Sequence, residues 1–212
     1  MDLHLLCTPH QFDVQTLEKF NDADWMGIDY GALMLIDAGI TPIAAFGDFD
    51  SLSEEELSRL QSVIDVDILP SEKNETDLEV GVQYALSMDY DRVFIHGATG
   101  GRMDHFLGNL QILLNNEVLM SSTDFFIVDA ANEIQMLPTG THVITRNADM
   151  KYVSFIPVEA GVFLTIEDLK YTLPRTQLEM GTTRTISNEF VTGRAQITVE
   201  NGMVYMIQSK DN

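Results

Sequence analysis

The sequence is short of positive charge. Against 33 acidic residues it sets only 12 lysines and arginines, for a formal net charge of −21. Such an excess of carboxylates repels polyanions, which argues against nucleic acid and anionic membrane as partners. An anionic ligand would then need a local positive site or a bridging metal. Cysteine is nearly missing: Cys7 is the only one, so no internal disulfide can form and a CxxC metal site is excluded. That usage is compatible with a reducing cytoplasm, where the protein is expected to reside. No stretch approaches the roughly 20 apolar residues of a membrane helix. The opening MDLHLLCTPH lacks the positive segment and long apolar core of a signal peptide. Internal repeats and low-complexity segments are also absent. What is present is a chain of 212 residues, 45% hydrophobic, long enough to bury a real core in one or two domains.

The two halves of the chain follow different patterns. Up to about residue 130, short apolar runs (LHLLC, DWMGID, PIAAFGD, VDIL, RVFIHG, DFFIVD) alternate with segments of helical spacing such as EEELSRLQSVI, LEVGVQYALSM and FLGNLQILLNN. Ser53 with Glu56, and Thr76 with Glu79, have capping-box spacing. This order predicts an α/β domain over residues 1–130, a three-layer structure with a parallel sheet covered on both faces. From residue 131 to 212 the helical period fades. VFLTIE and QITVENGMVYMI alternate in period two, and Asn201-Gly202 reads as a two-residue hairpin turn. A small C-terminal antiparallel β-sandwich is expected there. Pro138-Thr139-Gly140 is too short to be a flexible linker.

Ligands of open parallel sheets bind beyond the carboxyl ends of the strands, so the residues after each apolar run carry the functional interest. In AAFGDFDS, Asp48 and Asp50 follow a strand that ends near Gly47. Were this backbone extended, both carboxylates would point to one side and repel each other without a cation. A hard, oxygen-seeking Mg²⁺ is the obvious candidate; a turn shaped by Asp50 or Ser51 is the alternative. In KNETDLE, Thr76 would cap a helix whose first turn holds Asp77, and Lys73 just before it could hold a phosphate. In GATGGRMDH, Gly97, Gly100 and Gly101 permit backbone N–H groups to approach phosphate oxygens, and Arg102 adds a fork of donors. A plain glycine turn is the competing reading. Asp104 and His105 open the next helix. Asp29, in IDYGA, could join the other aspartates around a metal or simply cap a helix. The five histidines show no metal-ligand spacing, and the 11 methionines are scattered as core fillers.

Taken in order, IDYGA, GDFDS, KNETDLE, GATGGRMDH and ISNEF resemble the thiamine pyrophosphokinase (thiamine diphosphokinase) family, over a span from about Asp24 to Ile207. The resemblance implies an enzyme that transfers a pyrophosphoryl group from Mg-ATP to the hydroxyl of thiamine, giving thiamine diphosphate and AMP. It implies an N-terminal α/β domain that binds ATP and magnesium, a C-terminal β-sandwich that binds thiamine, and a homodimer with sites between subunits. Asp48, Asp50 and Asp77, with Asp29 close by, then look like the magnesium ligands; the first three and Arg102 would be catalytic. The loop Gly97, Thr99, Gly100, Gly101 and Arg102 looks like the ATP phosphate cradle, with Lys73, Thr76, Asp104 and His105 beside it. Ser187, Asn188 and Glu189 match the family's SNE motif, and Tyr171 stands where an aromatic can stack on the thiamine pyrimidine. Tyr30 departs from the family, which has a glycine there; a left-handed backbone at that position would strain a tyrosine. A diphosphokinase for another alcohol and a non-catalytic thiamine or nucleotide sensor are the alternative readings.

Overall fold

In the first half, each apolar run becomes a strand, and the helix-period segments return the chain so that the next strand lies parallel. The structure, a computed structural model, describes residues 1–7, 12, 15–20, 22–70 and 74–211. The chain divides into two compact units, Met1–Ala130 and Ala131–Asn212.

In the first unit, β1 (Asp2–Leu6), β2 (Asp24–Ile28), β3 (Ala44–Gly47), β4 (Asp67–Ile68), β5 (Arg92–His96) and β6 (Asp124–Val128) lie in the order β6-β5-β1-β2-β3-β4. Every pairing among them is parallel. The helices between them are α1 (Gln15–Lys19), α2 (Tyr30–Asp37), α3 (Glu54–Gln61), α4 (Asp77–Leu86), α5 (Met103–Ile112) and α6 (Asn116–Met120). Adjacent residues of β2 show why this makes three layers. Successive side chains of a strand point to opposite faces. A Cβ on Gly27 would collide with Ala32 of α2, whereas the Ile28 side chain fills the space where Gly81 of α4 lacks one. So α2 covers one face and α4 the other. Buried Trp25, Leu6, Leu17 and Leu35 form one core cluster, and Ala32, Ala45, Phe49 and Leu60 another. The helix starts follow the expected chemistry. Ser53 and Glu56 complete both bonds of the capping box, and the Thr76 hydroxyl accepts from the Glu79 N–H at 3.2 Å. Strand order reverses at β1, which has β2 on one side and β5 on the other, so a crevice is expected where β1 and β5 end.

In the second unit, one antiparallel set runs β12-β9-β14-β7 and a second runs β11-β10-β13-β8. The strands are β7 (Asn132–Leu137), β8 (Gly140–Thr145), β9 (Tyr152–Pro157), β10 (Phe163–Glu167), β11 (Leu173–Gln177), β12 (Asn188–Glu189), β13 (Arg194–Glu200) and β14 (Val204–Ser209). A single core cluster draws on both sets, with Leu137, Phe155 and Met206 from one and Leu164, Ile197 and Val199 from the other. That is a sandwich. Each such side chain, fully buried, contributes roughly 1.5–3 kcal/mol.

Two local expectations are corrected. Asn201-Gly202 does not join a hairpin, because β13 pairs with β8 and β10 while β14 pairs with β7 and β9. The turn has positive φ at both residues (56° and 133°) and carries the chain from one sheet to the other. Alternation along QITVENGMVYMI reports that each strand has one face in the core, not that the two strands are partners. Pro138-Thr139-Gly140 likewise joins β7 to β8 across the sandwich, inside the second unit. Among the described residues no helix is long and apolar enough to cross a membrane.

Candidate active site

The expected crevice is there. A cleft of ≈ 330 Å³ opens where β1 and β5 end, lined by Cys7 and Gly97 and by the first turn of α4. It brings together Asp29, Thr76, Asp77, Gly97, Thr99, Gly100, Gly101, Arg102 and His105 from three separate stretches of sequence. The loop after β5 has left-handed backbone at Gly97 (φ 70°), Gly100 (75°) and Gly101 (61°), which explains the three glycines. Two side chains tether it: Asn109 Nδ2 donates to the Ala98 carbonyl at 2.9 Å, and Thr99 Oγ1 donates to Asp129 Oδ2 at 2.7 Å. Thr76, Asp77 and Leu78, at the partial positive end of α4, also line the cleft. Lys73 lies outside the described residues.

Arg102 is exposed and makes a forked pair with Asp104, at 3.2 and 2.6 Å. That bond raises the Arg102 pKa and holds the Asp104 carboxyl below its usual range. Asp104 also accepts from the His105 N–H, and it lines a neighbouring cleft of ≈ 400 Å³ with Glu79 and Asn115 rather than the first one.

Asp29 sits at the start of α2, but its carboxylate makes no cap there. Its backbone is left-handed (φ 49°), its N–H donates to the Phe46 carbonyl at 2.9 Å, and its Oδ1 fills the place where Gly47 lacks a side chain. Gly47 is therefore glycine to admit the Asp29 carboxylate. The unusual backbone falls on Asp29 and not on Tyr30, so the tyrosine carries no such strain. Gly31 is required for a different reason: a Cβ there would collide with the Leu6 carbonyl.

Asp48 and Asp50 are not in an extended segment. Strand β3 ends at Gly47, and Phe49 between them is left-handed (φ 53°) and buried, while the Asp48 Oδ1 accepts from the Asp50 N–H at 3.1 Å. A bulky residue in that region is strained, and its burial in the core holds it there. The expected same-side pair thus becomes a tight turn at the end of β3, outside the lining of the cleft. Among the described residues no three Asp, Glu, His or Cys side chains converge closely enough to hold a metal. The donors fit a hard divalent cation in kind, all being carboxylate oxygens, and Asp29 is brought against Gly47 directly before Asp48.

In the second unit the SNE motif acts on Tyr171. Asn188 is buried, its Oδ1 accepting from the N–H groups of Tyr171 (3.0 Å) and Glu189 (2.9 Å) and its Nδ2 donating to the Tyr171 carbonyl (2.7 Å). The backbone of Tyr171 is thereby fixed on both sides while the residue stays 60% exposed. Tyr171 and Asn188 line a cleft of ≈ 130 Å³ with Arg184. Glu189 pairs with Lys170 at 2.8 Å, which holds its carboxyl below the usual range, and Ser187 donates its N–H to Ser154 Oγ at 2.9 Å.

Sequence reasoning missed Asn109, Asp129 and a buried histidine pair. His4 and His96 stand on neighbouring strands, 2.9 Å apart between Nδ1 and Nε2, among Phe12, Phe20, Trp25 and Phe94. Burial lowers both pKa values; Asp2 raises and Arg92 further lowers that of His4. Only strand register brings these two together, and no spacing in sequence announces it. The Cys7 thiol, fully buried, has its pKa pushed well up and is not an activated nucleophile.

Residues 18–125 match the family model for the thiamin pyrophosphokinase catalytic domain, and residues 141–204 that for its vitamin B1 binding domain. A thiamine pyrophosphokinase from Bacillus subtilis (strain 168) is 38% identical over 189 residues, covering 88% of this chain and 87% of that protein. The crystal structure of a Bacillus subtilis thiamine pyrophosphokinase superposes with a TM-score of 0.89 at 34% identity, each chain covered completely. That of a Geobacillus thermodenitrificans thiamin pyrophosphokinase gives 0.87 at 33%, covering 100% of this chain and 99% of the other. With both halves matched and the relatives covered nearly end to end, the chain belongs to the thiamine pyrophosphokinase family.

Proposed function

We infer that the protein is a thiamine pyrophosphokinase, which moves a pyrophosphoryl group from ATP to the hydroxyl of thiamine and releases AMP. The observation that carries this reading is the cleft where β1 and β5 end, with its left-handed glycine loop and helix N-terminus, in a chain of this family. The N–H groups of residues 97–101 hold the phosphate chain of ATP against the start of α4. Arg102 is exposed enough to exchange Asp104 for a phosphate oxygen and to stabilise charge on the transferring group. The thiamine hydroxyl oxygen bonds to the β-phosphorus as the bond from that phosphorus to the bridging oxygen breaks, and AMP leaves with that oxygen. Asp50 or Asp77 takes the hydroxyl proton. Asp48, Asp50 and Asp77, with Asp29, do not converge by themselves, but are the carboxylates that would hold Mg²⁺ once ATP and the cation draw them together. When bound, the ion would neutralise phosphate charge in an acidic protein.

Tyr171, fixed by Asn188, offers its exposed ring to the thiamine pyrimidine, and Ser187 and Glu189 flank Asn188 in sequence. The carboxylates also suit a cationic thiazolium. A homodimer with sites between subunits completes the proposal, supported by exposed Met103 and Leu107 on α5; the mass in solution by light scattering tests it. The decisive assay incubates the protein with Mg-ATP and thiamine and resolves the products. AMP with thiamine diphosphate is expected. ADP with thiamine monophosphate would mean an ordinary kinase. Binding of both substrates without product would mean a sensor, and no thiamine binding would mean another alcohol.

A further inference from the structure

We propose that Asp129, one residue beyond β6, is a positioning residue for the phosphate loop, acting through the buried hydroxyl of Thr99, with Asn109 as the second tether. The inference rests on the reading of residues 97–101 as the site for the ATP phosphates.

Three of the five residues in that loop are left-handed glycines. Glycine is the residue with the most conformational freedom to lose, so an untethered loop of this kind samples many shapes. A ring of N–H donors binds phosphate only when the donors converge, and affinity falls with the fraction of time they do not. Thr99 supplies the only polar side chain among residues 97–101. It is 6% exposed, and its hydroxyl is committed to Asp129 at 2.7 Å. Ala98, next to it, is held from the other side by Asn109 of α5 at 2.9 Å. Two consecutive residues are therefore tied to two different elements.

The placement follows from the sheet. His96 and Val128 are in register on parallel strands, so the residues just beyond them, Gly97 and Asp129, leave the sheet side by side. Asp129 does not line the cleft, and it bonds the loop at the Thr99 hydroxyl. A carboxylate behind a polyanion site opposes binding by its charge. Its value there is as a strong acceptor: a hydrogen bond to an ionised group is about twice as strong as a neutral one. Thr99 thus contributes to ATP binding as an anchor, its hydroxyl turned to Asp129.

The test measures Mg-ATP affinity by calorimetry on the whole protein without thiamine, together with the kinetic constants for both substrates. Thr99→Val keeps the shape and removes the hydroxyl. It and Asp129→Ala are each expected to weaken ATP binding and raise the ATP KM about tenfold, leaving the thiamine KM within roughly twofold. Thr99→Ser, which restores the donor, should stay within about threefold of the parent. The Thr99→Val/Asp129→Ala pair should be no worse than Asp129→Ala alone, because that change has already cut the tether to Thr99. If Asp129→Ala fails to fold, Asp129→Asn serves in its place, with a loss of about threefold. An unchanged ATP affinity in Thr99→Val, or fully additive losses in the pair, would overturn the inference alone. No ATP binding by the parent protein would sink the reading of the loop and this inference with it.

Discussion

The two units place their proposed site residues with different emphasis, although Ser187 of the second is also left-handed (φ 57°). Residues 1–130 hold 24 of the 33 acidic residues and 5 of the 12 basic ones, whereas residues 131–212 hold 9 and 7. In the first unit the proposed site residues stand on or beside backbone bent into left-handed turns at strand ends, at Asp29, Phe49 and the glycines of the loop. In the second, Tyr171 is positioned by a buried amide that bonds both sides of its peptide backbone. A parallel sheet collects loop ends at one edge, so turns do the aiming. A sandwich buries strand faces, so a polar group that aims a neighbour must itself be satisfied in the interior. The first unit should therefore be sensitive to charge and to added β-carbons, and the second to lost hydrogen bonds.

The largest effect tests the charge side of that contrast. Asp48→Asn or Asp50→Asn should lower turnover at least about 10²-fold with an unchanged circular dichroism spectrum. Near-normal turnover in both variants would remove the metal assignment. Next comes shape. Gly47→Ala places a methyl where Asp29 Oδ1 lies, so the carboxylate must move; a loss of about tenfold or more in kcat, with a smaller change in stability, is expected. In the sandwich, Asn188→Ala removes three hydrogen bonds at a buried site. It should cost about 2–4 kcal/mol in denaturant unfolding and raise the thiamine KM while sparing ATP affinity. Equal damage to ATP binding would erase the distinction between the units.

The smallest effect concerns pH. His4 and His96 are held neutral by burial, with His4 lowered to about 4. The unfolded chain takes up protons below about 6.5, where the folded pair does not. Their contribution is fully present above that pH and is lost as pH falls toward about 4. Against a His4→Phe/His96→Phe variant, the parent should lose at least about 3 °C more in melting temperature between pH 7 and pH 5. A parallel pH dependence in the two proteins would show that the pair is not held neutral.

Much of this was legible because local rules and global fold agree. Alternating apolar runs and helical segments gave the parallel sheet, and the capping signal at Ser53 marked a true helix start. What escaped depended on register or on strain. The Phe49 conformation is invisible in sequence, since nothing marks a phenylalanine as left-handed; only its burial beside Ala45 and Leu60 enforces it. Asp129 carried a signal that could have been used, as an acid directly beyond an apolar run, like Asp48 after IAAFG. Asn109 carried none, because its partner is a backbone carbonyl eleven residues away.

The turn at Asn201-Gly202 has a consequence for how the second unit forms. All but one of the connections there pass from one sheet to the other, the link from β10 to β11 being the exception. Strands adjacent in space are thus mostly distant along the chain. Such a topology is expected to fold slowly, on the millisecond-to-second scale of non-local β pairing.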